Sequence, residues 1–189
     1  MGCMEDFIRA YKTLSDTTIH LMKKVPEGKE DFKPATGDFM TTGQLLHHLG
    51  DTQRFFRLIL EGGFRELDKN FLEYMSNHPS SSTEKAIEYY KSEYGKVIEL
   101  LNLMDEEEFQ NISRYFWTVD DEPMPFIAFN IIEHNACHKY QLFMYLKMMG
   151  LPNINSFALA GEDDKLVEEI IKFFEMAHKA YDEKQTANI

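Results

Sequence analysis

Apolar residues recur at three- and four-residue steps in five separate segments of this chain, and this spacing limits its possible folds more than any other feature. The spacing places these residues on one face of an α-helix, whereas a half-buried strand would alternate them with polar residues. Glycine and proline punctuate the connections, as expected between helices. Helices are predicted at residues 5–24, 41–61, 83–104, 125–150 and 163–184.

The five helices predict an all-α fold built as one domain over residues 1–189. A chain of this length can bury a sizeable core. Its hydrophobic residues make up 43% of the sequence and include 15 Phe, 9 Tyr and 11 Met, which is enough to fill one. Thr41 and Gln44 have the spacing of a capping box, so we expect the second helix to begin there.

The charge of the chain argues against nucleic acid as a partner. Acidic residues outnumber basic ones by 32 to 20, which gives a formal net charge of -12. They are scattered along the sequence, so a phosphate backbone would be repelled. No stretch approaches the ~18 apolar residues of a membrane span, and we therefore expect no membrane partner either.

The cysteines and the amino-terminal residues indicate a cytoplasmic protein. Cys3 and Cys137 are the only two cysteines, which is too few for a disulfide framework. Glu5 and Asp6 stand where a signal peptide would need an uninterrupted apolar core. The reducing cytoplasm is the location that fits both observations.

The predicted helix at 125–150 carries two histidines, His134 and His138, on its apolar face. Residues four apart on a helix differ by about 40° in direction and roughly 6 Å along the axis, so both imidazoles can converge on one point. This spacing is typical of metal ligands, although it also occurs among histidines that are solvated or hydrogen-bonded. Asn135 and Lys139 are assigned to the opposite, polar face.

The predicted helix at 41–61 contributes a third inward histidine. His48 lies three residues after Leu45 and seven before Phe55, on the apolar face. The adjacent His47 falls on the polar face, so His48 is predicted to point into the bundle and His47 to point out. Taken alone, His48 could instead be a core histidine that is hydrogen-bonded to a carbonyl or a hydroxyl.

Three inward histidines from two helices predict a shared divalent metal ion held by His48, His134 and His138. Each buried polar group without a partner costs about 1–3 kcal/mol, and a common metal ion would remove that cost. A three-histidine set leaves coordination positions open for water or substrate, as in catalytic zinc sites. Neutral imidazoles suit Zn, Ni, Fe or Cu, and the sequence does not choose among them.

Two other ligand-type groups are assigned no chemistry. Cys137 is turned about 60° from His134 and about 100° from His138, so we expect it to pack against a neighbouring helix. Glu175 and His178 have the spacing of half a di-iron carboxylate site. Such a site needs a second pair of this kind and two further carboxylates, so a solvated helix face is the better interpretation.

The remaining aromatic and histidine candidates give no clear assignment. Residues 113–119 are aromatic and β-branched, which predicts an extended crossover. Its Trp117 is either part of a lid over the bundle or a wall of a substrate pocket. His20 is expected at the boundary of an apolar stripe, and His78, which precedes a proline, at the surface.

Two segments of the chain resemble the DinB superfamily of damage-inducible-protein-like helical bundles. They are TTGQLLHHLGDTQRFF, residues 41–56, and IIEHNACHKYQLFMYLKMMGLP, residues 131–152. The family pattern has a histidine near the start of the second helix, then two histidines four apart, a glutamine three residues later and a closing glycine. Its positions here are His48, His134, His138, Gln141 and Gly150. Many members have Arg-Gly where this chain has Lys139 and Tyr140, which puts a guanidinium contact there in doubt.

The resemblance implies an up-down-down-up four-helix bundle with a core at about 4–155 and an added C-terminal helix at about 162–184. It also implies a divalent metal at His48, His134 and His138, and a homodimer. Because the family includes transferases that use bacillithiol or mycothiol, it implies a thiol S-transferase acting on small electrophiles, with a metal-bound thiolate as the reacting group. The alternatives are a metal-dependent hydrolase using bound water, and a non-catalytic stress-response protein that binds metal or a small molecule.

Overall fold

The chain forms an all-α fold with one short pair of strands. The computed structural model describes residues 2–62, 73, 77, 79–115, 121–152, 154–161, 168–169, 171–176 and 178–179. Its helices are α1 (Cys3–Met22), α2 (Thr42–Leu60), α3 (Thr83–Leu103), α4 (Glu106–Asn111), α5 (Met124–Met148) and α6 (Ser156–Leu159). Its strands are β1 (Ser113–Tyr115) and β2 (Asp121–Pro123), paired antiparallel.

Helices α1, α2, α3 and α5 form a four-helix bundle in which α2 and α3 are parallel. Near the start of both helices His47 meets Ser81, and further along both Arg57 meets Glu93. Parallel neighbours need a connection that returns along the length of the bundle. The predicted down-down pair at the centre of the topology is therefore confirmed.

Helix α5 runs antiparallel to α2. His138, late in α5, meets His48, early in α2, while the earlier Asn135 meets the later Thr52. Helix α1 is also antiparallel to α2, because Phe7 near its start contacts Phe56 late in α2, while Leu21 near its end lies in the same cluster as Leu45 at the start of α2. These directions complete the predicted up-down-down-up arrangement.

Local signals set the ends of the two helices that carry the histidines. Thr41 caps α2 in a capping box, with its side chain accepting from the Gln44 N–H and the Gln44 side chain accepting from the Thr41 N–H. Pro125 lies in the first turn of α5, where its missing N–H costs nothing. The predicted capping box is confirmed, and the predicted start of the fourth helix is correct to within one residue.

The interior consists of two apolar clusters stacked along the bundle. One contains Phe7, Tyr11, Phe55, Phe56, Ile59, Leu60, Val97, Leu101, Phe109, Met124, Ile127, Ala128 and Ile131. The other contains Leu21, Met22, Val25, Leu45, Leu46, Leu49, Ala86, Tyr90, Leu142, Phe143, Tyr145, Leu146 and Ile154. Along α5, residues 132–141 separate the two clusters, and both predicted histidines of this helix fall in that interval.

The predicted crossover and C-terminal helix are described in part. Strand β1 confirms extended structure at the start of 113–119, while Trp117 and also His78 lie outside the described residues. The described positions between 168 and 179 are helical and exposed, including Phe173 and Phe174. Within the described part of the chain, no helix is long and apolar enough to cross a membrane.

Candidate metal centre

The three predicted histidines meet at one point between α2 and α5. One ring nitrogen from each of His48, His134 and His138 lies within 4.8 Å of the others. The ring centroids are 4.5 Å apart for His48 and His138, 4.6 Å for His134 and His138, and 5.8 Å for His48 and His134. All three side chains are half-buried, so the group lies near the bundle surface and not in the closed core.

The spacing of the nitrogens suits a shared metal ion. The Nε2 atoms of His48 and His138 are 3.1 Å apart. Two imidazole nitrogens bound to one tetrahedral zinc ion are separated by about 3.3 Å, since each lies roughly 2.05 Å from the metal. The donor set also fits, because three neutral imidazoles bind first-row transition metals well. The residues therefore fit the divalent ion that the sequence predicts.

A chain of hydrogen bonds orients His138. The Gln141 Nε2 amide donates to the Tyr145 hydroxyl at 3.2 Å, which turns Gln141 Oε1 towards His138 Nδ1 at 3.0 Å. Since Oε1 can only accept, Nδ1 carries the proton and Nε2 keeps its lone pair. The Tyr145 hydroxyl in turn donates to the Met40 carbonyl at 2.9 Å. The chain thus presents the basic nitrogen of His138 to His48.

The surroundings keep the two histidines of α5 neutral. Burial, together with the nearby His138, lowers the pKa of His134 to about 4. Burial also lowers the pKa of His138, against the opposing effect of its hydrogen bond with Gln141. A metal ion binds unprotonated imidazole, so neither ring must lose a proton at neutral pH before it can act as a ligand.

The cluster contains no fourth protein ligand among the residues that the structure describes. Glu133 and Cys137, the two ligand-type neighbours in the sequence, are both exposed and lie outside it. The expectation that Cys137 packs against a neighbouring helix is therefore wrong: its side chain is exposed, because none of the helices that the structure describes covers it. A metal ion held by the three histidines would keep open coordination positions.

His47 is not the solvent-facing residue that its place on the polar face predicts. Its side chain is only 16% exposed, and its ring stacks on Tyr89 with the centroids 5.2 Å apart. Its Nδ1 lies 2.7 Å from the Ser81 hydroxyl. The polar face of α2 is covered by the parallel helix α3, which the sequence of α2 alone does not reveal. His47 nevertheless points away from the cluster, as predicted.

Asn135 and Lys139, also assigned to a polar face, are both turned inward. Asn135 is 1% exposed, and its Oδ1 accepts hydrogen bonds from Thr52 and Gln53 on α2. We call Thr52, Gln53 and Asn135 the polar clamp. Lys139 is half-buried, where its ammonium group donates to Thr17 on α1 and burial lowers its pKa. These polar side chains are satisfied by other helices instead of by water.

The polar clamp and Tyr145 are the site residues whose roles the sequence does not show. Helical spacing places Thr52 on the same face as His48 and Tyr145 on the same face as His138, but nothing in the sequence shows that they support the histidine cluster. Their position offers one signal: Thr52 follows His48 by four residues, so it lies one turn along the same face of α2. Gln53 and Asn135 give no comparable signal, because each is recognised only by its partner on another helix.

Comparison with known proteins extends this description. A sequence model of the DinB superfamily matches residues 10–142. The fold is similar to the crystal structure of a DinB-like protein, YjoA, from Bacillus subtilis, with a TM-score of 0.60 and 18% sequence identity; the match covers 79% of this chain and 96% of that one. At this identity the likeness concerns the fold alone. No curated protein matches the chain.

Proposed function

Because this chain belongs to the DinB superfamily, we propose that it binds one divalent transition-metal ion through His48, His134 and His138 and is a metal-dependent enzyme. The observation that carries the proposal is the approach of the three ring nitrogens to within 4.8 Å of one another. These residues come from two helices that are far apart in the sequence, and their polar neighbours leave the lone pair of His138 directed at the same point.

The reaction that we propose is the transfer of a low-molecular-weight thiol to a small electrophile. A divalent ion supplies Lewis acidity, which lowers the pKa of a coordinated thiol or water molecule. In the transfer the thiol would lose its proton to solvent, its sulfur would form a bond to the electrophilic carbon, and the leaving group would depart with the electron pair of the broken bond. Support for the thiol comes from the DinB family, whose members include bacillithiol- and mycothiol-dependent transferases.

The residues of the chain contribute ligands, orientation and access. Because burial lowers the pKa of His134 and His138, these two imidazoles are neutral at pH 7, and neutral ligands would leave the positive charge of the ion only partly offset. Gln141 holds the His138 ring in one orientation and one tautomer. The half-buried position of all three rings leaves the site open to a small molecule from solvent.

The test is an assay of the zinc-, nickel- and iron-loaded protein with bacillithiol, mycothiol or glutathione and a chromogenic aryl halide as the electrophile. We expect conjugation that is faster than the uncatalysed rate and is abolished by His48→Ala. Metal binding without any acceleration would favour a non-catalytic binding protein. Hydrolysis of activated esters, in place of thiol conjugation, would favour a hydrolase.

We also propose that the protein is a cytoplasmic homodimer that acts in a stress response. The cytoplasm keeps low-molecular-weight thiols reduced, and both Cys3 and Cys137 are free. For the dimer, the support is the outward face of α5, which we define as Phe126, Phe129, Tyr140 and Met148. These four side chains are exposed and lie within about 100° of one another around the helix, and large exposed apolar side chains on one face are typical of an interface.

A further inference from the structure

The polar clamp lies directly beside the three histidines and joins the two helices that supply them. Asn135 Oδ1 accepts from Thr52 Oγ1 at 2.6 Å and from Gln53 Nε2 at 2.8 Å. All three side chains are buried, with exposed fractions of 0–4%. Three polar residues in the interior of an apolar bundle would be costly without this mutual satisfaction.

The two amide side chains of the clamp, Asn135 and Gln53, have defined donor and acceptor atoms. The Asn135 Nδ2 amide donates to the Ile131 carbonyl at 2.8 Å, so Oδ1 is the atom that faces α2. Gln53 Nε2 donates to Asn135 and also to the Thr52 hydroxyl at 3.0 Å. Gln53 Oε1 accepts from the Tyr11 hydroxyl, which ties the clamp to α1 as well. Three helices are thus joined through one amide pair.

The clamp is in register with the ligands on both helices. On α2, Thr52 follows His48 by four residues and therefore lies one turn further along the same face. On α5, Asn135 stands between His134 and His138. A slide or rotation of either helix that separated His48 from His138 would also break the bonds of Asn135.

Besides the contact between His48 and His138, the clamp provides directional bonds that set the register of α2 against α5. No short turn joins them, because residues 61–123 lie between the two helices. The remaining contacts on either side of the site come from apolar residues such as Leu45, Leu49 and Leu142. Apolar burial is non-directional, whereas a hydrogen bond weakens steeply when its angle or length departs from the optimum. Sites of this kind require positions accurate to roughly 0.5 Å.

We infer that Asn135, held by Thr52 and Gln53, is the positioning residue that brings His48 into register with His134 and His138. The inference deepens the proposed metal site and rests on it. Asn135 touches none of the three imidazole nitrogens in this role; it acts by setting how α2 and α5 meet. The clamp therefore prepares the ligand set before any ion arrives, which lowers the cost of organising the site on binding.

The test compares Co²⁺ binding by the full chain and its variants, because the visible absorption of Co²⁺ reports coordination geometry as well as affinity. For Asn135→Ala we expect a loss of roughly 10–100-fold in affinity, the usual effect of removing an outer-shell partner, and a changed spectrum. Thr52→Val, which preserves the shape of the side chain but removes the hydroxyl, should also lower Co²⁺ affinity and change the spectrum. Thr52→Ser, which keeps the hydroxyl, should bind Co²⁺ like the wild type.

The matched control is Asn130→Ala. Asn130 is on the same helix and makes the same type of local bond, to the Phe126 carbonyl at 2.9 Å. The Asn130→Ala variant should bind Co²⁺ with wild-type affinity and give the wild-type spectrum. Folded Asn135→Ala or Thr52→Val protein with unchanged affinity and spectrum would overturn the positioning role while leaving the metal site intact.

A metal-free measurement separates this inference from the proposed function. The ¹⁵N signals of the His48 and His138 side chains report the contact between their Nε2 atoms in protein treated with chelator. We expect both signals to shift in Asn135→Ala and to stay in place in Asn130→Ala. If wild-type protein binds no Co²⁺, the proposed function fails, and unchanged imidazole signals in Asn135→Ala would overturn the positioning role independently.

Discussion

The Nε2 atoms of His48 and His138 lie 3.1 Å apart although 90 positions separate the two residues in the sequence. Two lone pairs at that distance repel each other unless a proton or a metal ion lies between them. Because the Nδ1 of His138 donates to Gln141, its Nε2 is the acceptor in either case. Whether a proton or a metal ion lies between these two atoms therefore determines whether the two histidines are hydrogen-bonded to each other or are ligands of one ion.

Metal content distinguishes these two states. We expect purified wild-type protein to hold one equivalent of a divalent metal, measured by elemental analysis, and His48→Ala and His138→Ala to lose it. Removing a ligand should lower metal affinity by more than the roughly 10–100-fold that is typical of removing an outer-shell partner. His47→Ala is the matched control, because His47 is adjacent in sequence but bonds Ser81 instead. Equal metal content in all four proteins would show that these histidines are not ligands.

The hydrogen bond between Gln141 and His138 should tune metal affinity without being essential for it. Gln141→Leu removes the acceptor at Nδ1 and frees the His138 ring to rotate and change tautomer. We expect metal affinity, measured by competition with a chromogenic chelator, to fall by about 10–100-fold. Tyr145→Phe should weaken binding less, since Gln141 keeps its direct contact with the ring. A Gln141→Leu variant as tight as wild type would contradict the role of this bond.

The metal-free protein should lose stability as the pH falls from about 6.5 towards 4. An unfolded histidine has a pKa near 6.5, whereas the pKa of His134 in the folded state is about 4. Between these values the unfolded chain binds a proton that the folded protein excludes, so the free energy of unfolding falls with falling pH and is fully regained above 6.5. The pKa of His138 is also lowered in the folded state, so this residue likewise reduces the free energy of unfolding as the pH falls.

Urea unfolding in the presence of a chelator, at pH values from 7 to 4.5, measures this effect. Carboxylates titrate in the same range, so the informative quantity is the difference between wild type and His134→Gln. We expect the variant to show a shallower loss of stability on acidification. Identical curves for the two proteins would mean that His134 is protonated as easily in the folded state as in the unfolded one.

A charge on the outward face of α5 should dissociate the dimer. Phe129 is 66% exposed, the largest exposed fraction of the four residues of this face, and Phe129→Glu would place a carboxylate where we expect apolar contact between two copies. Sedimentation should then show a monomer in place of a dimer. Leu103→Glu is the control, since Leu103 is 83% exposed but lies at the end of α3. Wild-type protein that sediments as a monomer would refute the dimer directly.

The fold follows closely from the sequence because its signals are local. Helical spacing predicts α1, α2, α3 and α5 with ends that agree within about two residues, and the capping box at Thr41 is present as predicted. The up-down-down-up order is confirmed as well, although it comes from family resemblance and not from spacing. Residues 163–184 are confirmed as helical only at their described positions.

The sequence singles out the three histidines that the structure places together, but not the residues that support them. The periodicity of each helix is enough to turn His48, His134 and His138 inward. The polar side chains of Asn135 and Lys139 predict a solvent-facing position, yet they form hydrogen bonds with Gln53 and Thr17 on other helices. The prediction for Cys137 is wrong in the opposite sense, because packing against a helix is predicted for this apolar thiol and its side chain is exposed. The burial of a residue depends on which other elements face it, and the sequence of a single helix does not contain that information.

The distance in sequence between the two ligand-bearing helices limits when a metal ion could be captured during synthesis. Helix α3 is made between α2 and α5, so the ribosome must add 85 residues after His48 before it adds His134. A nascent chain that stops short of α5 offers an isolated His48, which holds metal weakly. Under the proposed function, metal uptake would therefore wait until α5 docks against α2, and a bound ion would mark a chain in which both ligand-bearing helices are in place.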